Sequence, residues 1–581
     1  MAEIEHIRHT LAHLLAASVR ELYPGAKNAI GPSIEDGFYQ DFDMGDHKIS
    51  EEDLPKIEKK MRQILKTWTT SSHREVTLAE AKKEFAWNEY KCELMDEFAE
   101  GGKTLTFYTL GDFVDLCKGG HSENPEKDVN PEAFKLDRIA GAYWRGNEKN
   151  KMLTRIYGLA FATKDELDTY LAMREEAKKR DHRKIGVEMD LFTFSDLVGA
   201  GLPLYTPKGT ILRQELAGYS ESLQKRYGYQ QVWIPHITKI DLYKKSGHWD
   251  KFGGELMLVE SQESNDEFVL KPMNCPHHTQ IYASKPRSYR DLPLRYMETT
   301  TCYRDEKTGE LSGLTRVRSL TQDDAHVFCR MDQFEQEFEN IISMIKEMYD
   351  TLGLSFKARL SFSDPKKPEK YLGSKENWEL AESSIENIAK RLGLDYWIAP
   401  GEAAFYGPKI DIMVTDSLGR EWQCASPQLD FVQPERFGLE YTAQDGTKQR
   451  PVMIHKVLLG TIDRFLGVYI EHTAGVFPLW MSPVQVKVLP VSDKHLVYAE
   501  EVVVELKKHN IRAELSSDDS LGKRIRNAKL EKVPCFIVVG DKEVEDKTVT
   551  VENNRNGDKQ TLPLGDFISP TLERIRERAN V

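Results

Sequence analysis

Apolar and polar positions alternate with a period of two through the long middle of the chain. The runs "QQVWIPHI", "EFVLKPM", "LRYMETTTCYRDE", "TRVRSLTQDDAHVF", "KIDIMVTDSLG" and "EWQCASPQLDF" read as strands that mostly follow one another without intervening helices. Consecutive strands imply an antiparallel sheet, whereas alternation of helix and strand implies a parallel one. Beyond residue 481 the pattern changes to that alternation: "VQVKVLPV", "KHLVYAEEVVVELKKHN", "IRAELSS", "LGKRIRNAKLEK" and "CFIVVG" read β-α-β-α-β. Ahead of the middle section, residues 1–172 mix helices and strands, and "LAMREEAKKRDHRKIG" (171–186) reads as one charged helix bridging two bodies. The expected fold is multidomain α+β. It has an α+β domain over 1–172, a bridging helix over 173–186, an antiparallel sheet with flanking helices over 187–481, and an α/β domain over 482–581.

The same period of two concentrates chemistry in the segment 313–328. If it is extended throughout, Arg316, Arg318, Leu320, Gln322, Asp324 and His326 share one face. A polar strand face ordinarily faces solvent in an antiparallel sheet, but this one combines cations, an amide, a carboxylate and an imidazole. In "YRDE" the period puts Arg304 and Glu306 on one face of the preceding strand, so two antiparallel strands and their loop surround a space suited to a triphosphate and a base. Arginine's forked donors match phosphate oxygens, and "LLGTIDRFLGVYIE" adds Arg464 at the start of an apolar helix. Neither GxxxxGK[ST] nor GxGxxG occurs near these residues, so nucleotide binding here rests on arginines and a sheet.

Composition narrows the class. At 581 residues the chain exceeds one hydrophobic core. It has no apolar run near the ~18 residues needed to span a bilayer, and "MAEIEHIRHT" resembles neither a signal nor a transit peptide, so a cytoplasmic protein without membrane contact is expected. The seven cysteines are odd in number and widely spaced, which argues for reduced thiols, some of them metal ligands. Net charge of -13 neither supports nor excludes RNA as a partner. Cys275, His326 and His455, each ordinary alone, form together the soft and borderline donor set of a zinc ion that keeps one position open. His9 and His13 lie four apart on one helical face, and Cys117 and His121 repeat that spacing.

These motifs resemble those of the threonyl-tRNA synthetases. "YRDE…RVRSLTQDDAH" is similar to the second signature motif of class II aminoacyl-tRNA synthetases, "GTIDRF" to the third, and the strand ending at Pro235 to the first; "NCPHH", "TQDDAH" and "MIHKVLLG" resemble the family's zinc-site segments. The resemblance implies a ligase that uses ATP with Mg²⁺ to activate L-threonine and passes it to tRNA(Thr), working as a homodimer through the first motif. It assigns one zinc ion per chain to Cys275, His326 and His455, the α-phosphate and reacting carboxylate to Arg304, and the distal phosphates to Arg316 and Arg464. Glu306 is assigned to adenine and Gln322 and Asp324 to threonine, with Tyr406, Lys409, Gln423 and Gln428 completing the pocket. Zinc that takes both the amino and hydroxyl groups rejects valine, but serine lacks only a methyl, worth ~1–3 kcal/mol, so a second hydrolytic site is needed.

HxxxH with CxxxH resembles the family's editing domain, which implies a Ser-tRNA deacylase over 1–172 with His9, His13, Lys91, Asp115, Cys117 and His121 in its site; whether metal binds there stays open. The last section resembles the family's anticodon-binding domain, with Lys523, Arg524 and Arg526 available to phosphates and Glu543 preceding the anticodon strand. Three departures stand out: Leu320 where the family usually has an adenine-stacking phenylalanine, Ser426–Pro427 where a threonine and a branched residue are common, and Glu552 where an arginine is expected. The chain also begins too late for the ubiquitin-like domain found ahead of many relatives. Two competing classes are a synthetase-like RNA binder that has lost catalysis and a free-standing zinc hydrolase; the first predicts decay at the arginines or zinc ligands, and the second leaves the nucleotide-type site unexplained.

Overall fold

The computed structural model describes residues 3–579. The chain divides into two compact units, 1–176 and 177–581. The first is built on the helix Ile4–Leu22, whose Ile7, Leu11, Leu14, Leu15 and Ser18 recur at helical spacing and are buried. That stripe meets Phe38, Phe42, Ile57, Met61 and Trp68 in one core. The sheet behind it runs in the order Lys27–Asn28, Gly37–Asp43, Met152–Ala160, Phe134–Tyr143, all antiparallel. A second antiparallel sheet, Ser71–Val76, Leu105–Leu110 and Phe113–Leu116, carries Asp115 in its last strand.

The expected single bridging helix is corrected. The helix Lys164–Arg180 stops, Asp181 leaves helical geometry at φ -50 and ψ 119, and its side chain accepts the Arg183 N–H to open a separate helix, His182–Glu188. An aspartate whose carboxylate satisfies a helix-start donor competes with continuation of the helix.

In the second unit the central sheet is antiparallel over most of its width, in the order Gln230–Gln231, Leu294–Tyr303, Ser319–Cys329, Val452–Lys456, Gln428–Asp430, Lys409–Thr415, Ser355–Phe362, Tyr396–Pro400, with Glu421–Gln423 paired onto Lys409–Thr415. Only the two outer pairings are parallel. Register places Tyr296, His326, His455, Gln428, Lys409 and Ser361 in one row across six strands. Directly opposite residues share a face, so side chains far apart in sequence are collected on one surface. The helix Phe334–Leu352 buries Phe338, Ile341, Ile345 and Met348 against the sheet and ends at Gly353 with φ 70.

One expectation about the segment 313–328 is corrected, and the solvent-facing alternative for its polar face is excluded. The strand begins at Ser319, and Arg316 and Arg318 lie in the preceding turn, which opens at Gly313 with φ 48 and is held by the Arg318 N–H on the Gly201 carbonyl. Nor is the polar face solvated: Asp324 is 6% and His326 1% exposed, because the loop and helix around 271–283 cover it. The last section forms a separate sheet in the order Ala513–Leu515, Val486–Pro490, Cys535–Val539, Thr548–Asn553, Lys559–Pro563, parallel for its first three strands and antiparallel beyond.

Candidate functional site

His326 and His455 face each other across adjacent strands, and Nε2 of the first lies 3.0 Å from Nδ1 of the second. Cys275, at the first position of the helix Cys275–Ala283, brings its thiol to them, and the three donor atoms lie within 4.8 Å of one another, all buried. The remaining nitrogens are engaged outside the cluster. His455 Nε2 meets Asp430 Oδ2 at 2.7 Å and His326 Nδ1 meets His278 Nδ1 at 2.8 Å. A carboxylate on the far nitrogen fixes the tautomer and aims the near lone pair inward, as behind metal-bound histidines. Sulfur, nitrogen and nitrogen donors converging without a fourth ligand among the described residues fit a zinc ion with an open position. His248 Nε2 lies 3.8 Å from the Cys275 sulfur and borders the same space.

Around this centre, Asn274 donates to Asp324 at 2.9 Å, and burial pushes the Asp324 carboxyl up to about 6. Gln322 sits between Cys302 and Thr461, to which its backbone bridges. Tyr406 donates to Gln428 at 2.6 Å, and its ring lies 5.0 Å from that of His455. Lys409 and Gln423 both meet Asp411, which also accepts from Arg359, Ser361 and Ser426. Burial alone would raise the Asp411 carboxyl; the charge of Lys409 and these hydrogen bonds hold it below its ordinary range. Ser426 therefore supplies a hydroxyl donor to Asp411, as a threonine there also can.

Arg304 donates to the Met273 sulfur at 3.2 Å and lies over the Phe252 ring, while its Nε has no partner among the described residues. Arg316 spans Glu306 at 2.8 Å and Glu310 at 2.7 Å, so the adenine and phosphate candidates are paired with each other. Arg464 is at the third position of the helix Ile462–Thr473, its N–H on the Thr461 hydroxyl and its guanidinium over Trp422. Leu320 presents no open platform, since it is packed with Cys302 and Val317.

In the first unit, His9, His13, Cys117 and His121 bring four donor atoms within 4.8 Å of one another. The Cys117 sulfur lies 3.4 Å from His9 and 3.1 Å from His121. Burial lowers His9, lowers His13 well below the usual range, takes His121 down to about 3 and lifts the Cys117 thiol to about 11. Lys91 and Asp115 form a buried ion pair at 2.8 Å, and Asn28 donates to the other carboxylate oxygen at 2.8 Å. His9, His13, Lys91, Asp115 and Cys117 line a pocket of about 280 Å³.

The anticodon-type contacts are partly corrected. Arg524 is 5% exposed and donates to the Pro490 and Ser516 carbonyls, so it ties the helix Leu521–Leu530 to the sheet instead of meeting phosphate. Glu543 accepts from Thr550 and the Gly540 N–H, and Glu552 pairs with Lys529 at 3.0 Å. Sequence reasoning missed Asp411, Arg359, Asp430, Asn274, Asn28 and His248. "SGHWD" carries His248 and "KIDIMV" carries Asp411 in plain view, but neither spacing points to a partner.

The model described as tRNA synthetase class II core domain (G, H, P, S and T) matches residues 257–473. The anticodon binding domain matches 485–574, and the threonyl and alanyl tRNA synthetase second additional domain matches 105–157. Threonine–tRNA ligase of Deinococcus radiodurans is 47% identical over 98% of this chain and 89% of its own length. That of Parabacteroides distasonis is 48% identical over 98% and 88%. Among solved structures, the RNA binding domain of threonyl-tRNA synthetase from Cryptosporidium parvum Iowa II superposes with a TM-score of 0.65 at 35% identity, covering 68% of this chain and 98% of that one.

Proposed function

The chain belongs to the threonyl-tRNA synthetase family, and from that premise we propose how its own residues carry out the family's two reactions. It is a class II ligase that joins threonine to tRNA at the expense of ATP and has an editing domain ahead of its catalytic core. The observation that carries the site assignment is the convergence of Cys275, His326 and His455 beside Asp324 and Gln322, on the sheet whose neighbouring loops hold Arg304 and Arg316.

Threonine binds with its amino group toward Asp324 and its hydroxyl toward Gln322, and Tyr406 with Gln428 closes the side next to His455. Cys275, His326 and His455 would hold a zinc ion, which when bound would supply Lewis-acid coordination to the amino nitrogen and hydroxyl of threonine and so exclude valine. Arg304 neutralises the α-phosphate as the threonine carboxylate attacks it, the bond to the β-phosphate breaks and pyrophosphate leaves, giving threonyl-adenylate. Its unpartnered Nε is a donor ready for the oxyanion. Arg316 leaves Glu306 and Glu310 to take distal phosphate charge together with Arg464 and Mg²⁺, which frees Glu306 for the adenine amino group. No general base is needed, because the nucleophile is already a carboxylate.

In the editing unit, His9 is held neutral by burial beside the Lys91–Asp115 pair and positions water against the ester of Ser-tRNA. In the second unit the exposed apolar side chains Leu197, 100% exposed, and Trp233, 76%, with Phe194 and Ile237, support a homodimer. No helix among the described residues is long and apolar enough to cross a membrane, and all seven cysteines are free, which supports a reducing, cytoplasmic setting.

Threonine-dependent exchange of labelled pyrophosphate into ATP tests this reading. The parent is active and Arg304→Ala falls by about 100-fold or more with its metal content intact; undiminished exchange in the variant would remove Arg304 from the reaction.

A further inference from the structure

The turn that carries Arg316 and the helix that carries Arg464 are joined by a buried pair that takes no part in the assignments above. His182, 3% exposed, accepts the Leu314 N–H on Nε2 at 3.0 Å. Because Nε2 is the acceptor, the proton sits on Nδ1, which donates to Glu471 Oε1 at 2.6 Å. The same carboxylate oxygen accepts the His182 backbone N–H at 3.1 Å, and its other oxygen takes Arg420 at 2.5 Å. Arg420 continues to Asp416, which holds the Trp422 indole N–H, and Trp422 lies under the Arg464 guanidinium.

Packing enforces the same junction. A Cβ on Gly313 would lie 2.2 Å from His182 Nε2, and one on Gly467, one turn beyond Arg464, would lie 3.2 Å from Thr315 and 3.3 Å from Leu314. The turn thus seats directly on the helix, with the imidazole filling the gap. Asp181, His182 and Glu471 also lie close enough to hold a cation. Both imidazole nitrogens are already committed to hydrogen bonds, however, so the cluster works as a strut.

We propose that His182, locked in one tautomer by Glu471, is a positioning residue that sets the turn 313–318 against the helix Ile462–Thr473, so that Arg316 and Arg464 reach the same nucleotide phosphates. This deepens the proposed function and rests on its assignment of Arg316 to the phosphates. An arginine on a turn has little orientation of its own, and a backbone N–H clamped by an imidazole two residues away supplies it.

The test is pyrophosphate exchange with ATP and threonine varied separately. His182→Asn keeps a donor for Glu471 but withdraws the acceptor from Leu314. It is expected to raise the KM for ATP about tenfold, the effect of one well-placed hydrogen bond, with the threonine KM and the zinc content unmoved. His182→Gln, whose amide oxygen reaches the Nε2 position, recovers most of the loss. In an Arg316→Ala background, His182→Asn adds no further loss, since both act on one contact. Should His182→Asn fail to fold, Gly313→Ala disturbs the same contact from the turn and is expected to produce the same ATP-selective change. Equal rises in both KM values, or a lowered Tm with ATP kinetics unchanged, overturns the proposal. Arg316→Ala with an unaltered ATP KM would instead refute the phosphate assignment itself.

Discussion

His326 and His455 stand directly opposite each other on neighbouring antiparallel strands, with facing ring nitrogens 3.0 Å apart, although 129 residues separate them in the chain. Two imidazoles held that close compete for one proton, whereas a shared cation satisfies both. The purified protein is therefore expected to carry about one zinc per chain by elemental analysis. Cys275→Ala should lose metal and threonine activation together, and Asp430→Asn, which removes the carboxylate behind His455, should weaken zinc binding about 10–100-fold. A Cys275→Ala enzyme that stays fully active without zinc would sink the assignment, and a stoichiometry near two would bring the editing histidines in as a second centre.

The editing and synthetic reactions should separate by mutation, and the structure decides which variant is clean. Lys91 and Asp115 are buried as a pair, so Lys91→Ala strands a carboxylate and is expected to cost about 3–5 kcal/mol of stability in the first unit. His9→Ala leaves that pair intact. It should keep threonylation near the parent rate while Ser-tRNA accumulates; unimpaired deacylation of Ser-tRNA by this variant would contradict the proposed role of His9.

Acid should loosen the first unit. Unfolded histidine titrates near 6.5, whereas burial takes His121 down to about 3 and lowers His9 and His13 in the same sense. Below about 6.5 the unfolded chain thus binds protons that the folded unit refuses, and stability that is complete above that pH falls as acid is added. His121, held near 3, contributes a slope approaching about 1.4 kcal/mol per pH unit once the unfolded imidazole is protonated, and His9 and His13 add in the same direction. Thermal unfolding followed from neutral pH to about pH 5 should show the decline, and His121→Gln should flatten it by one proton's share; an unchanged slope would mean that His121 is not held neutral.

Lys529 and Glu552 neutralise each other, and Glu552 lies on the strand Thr548–Asn553, which the resemblance assigns to the anticodon. Glu552→Gln releases the ammonium, and tRNA affinity is expected to hold or to rise by up to about fivefold, with a steeper salt dependence. A large loss of threonylation, with threonine activation unchanged, would show that the glutamate itself reads a base. Arg526→Ala should lower the salt slope by about one, whereas Arg524→Ala should lower stability and leave the slope alone, because Arg524 is bonded to backbone carbonyls.

Much of this protein was legible along the chain. Alternating runs announced an antiparallel sheet, the later helix–strand alternation announced a parallel one, and the ordered motifs named the donor residues, since periodicity and short spacings are local properties. Tertiary structure decided what those residues face. Cross-strand register set His326 against His455 and Gln428 against both His455 and Lys409, and no local pattern encodes pairing between strands so distant in sequence. Burial turned a strand face that alternation alone leaves solvated into the wall of a pocket, because the cover comes from the segment around 271–283. Arg316 and Arg524 carry the same charge, yet one reaches carboxylates at the surface and the other is spent inside on carbonyls. A guanidinium is stable in either place once its donors are satisfied, so only the packing around it determines which role it takes.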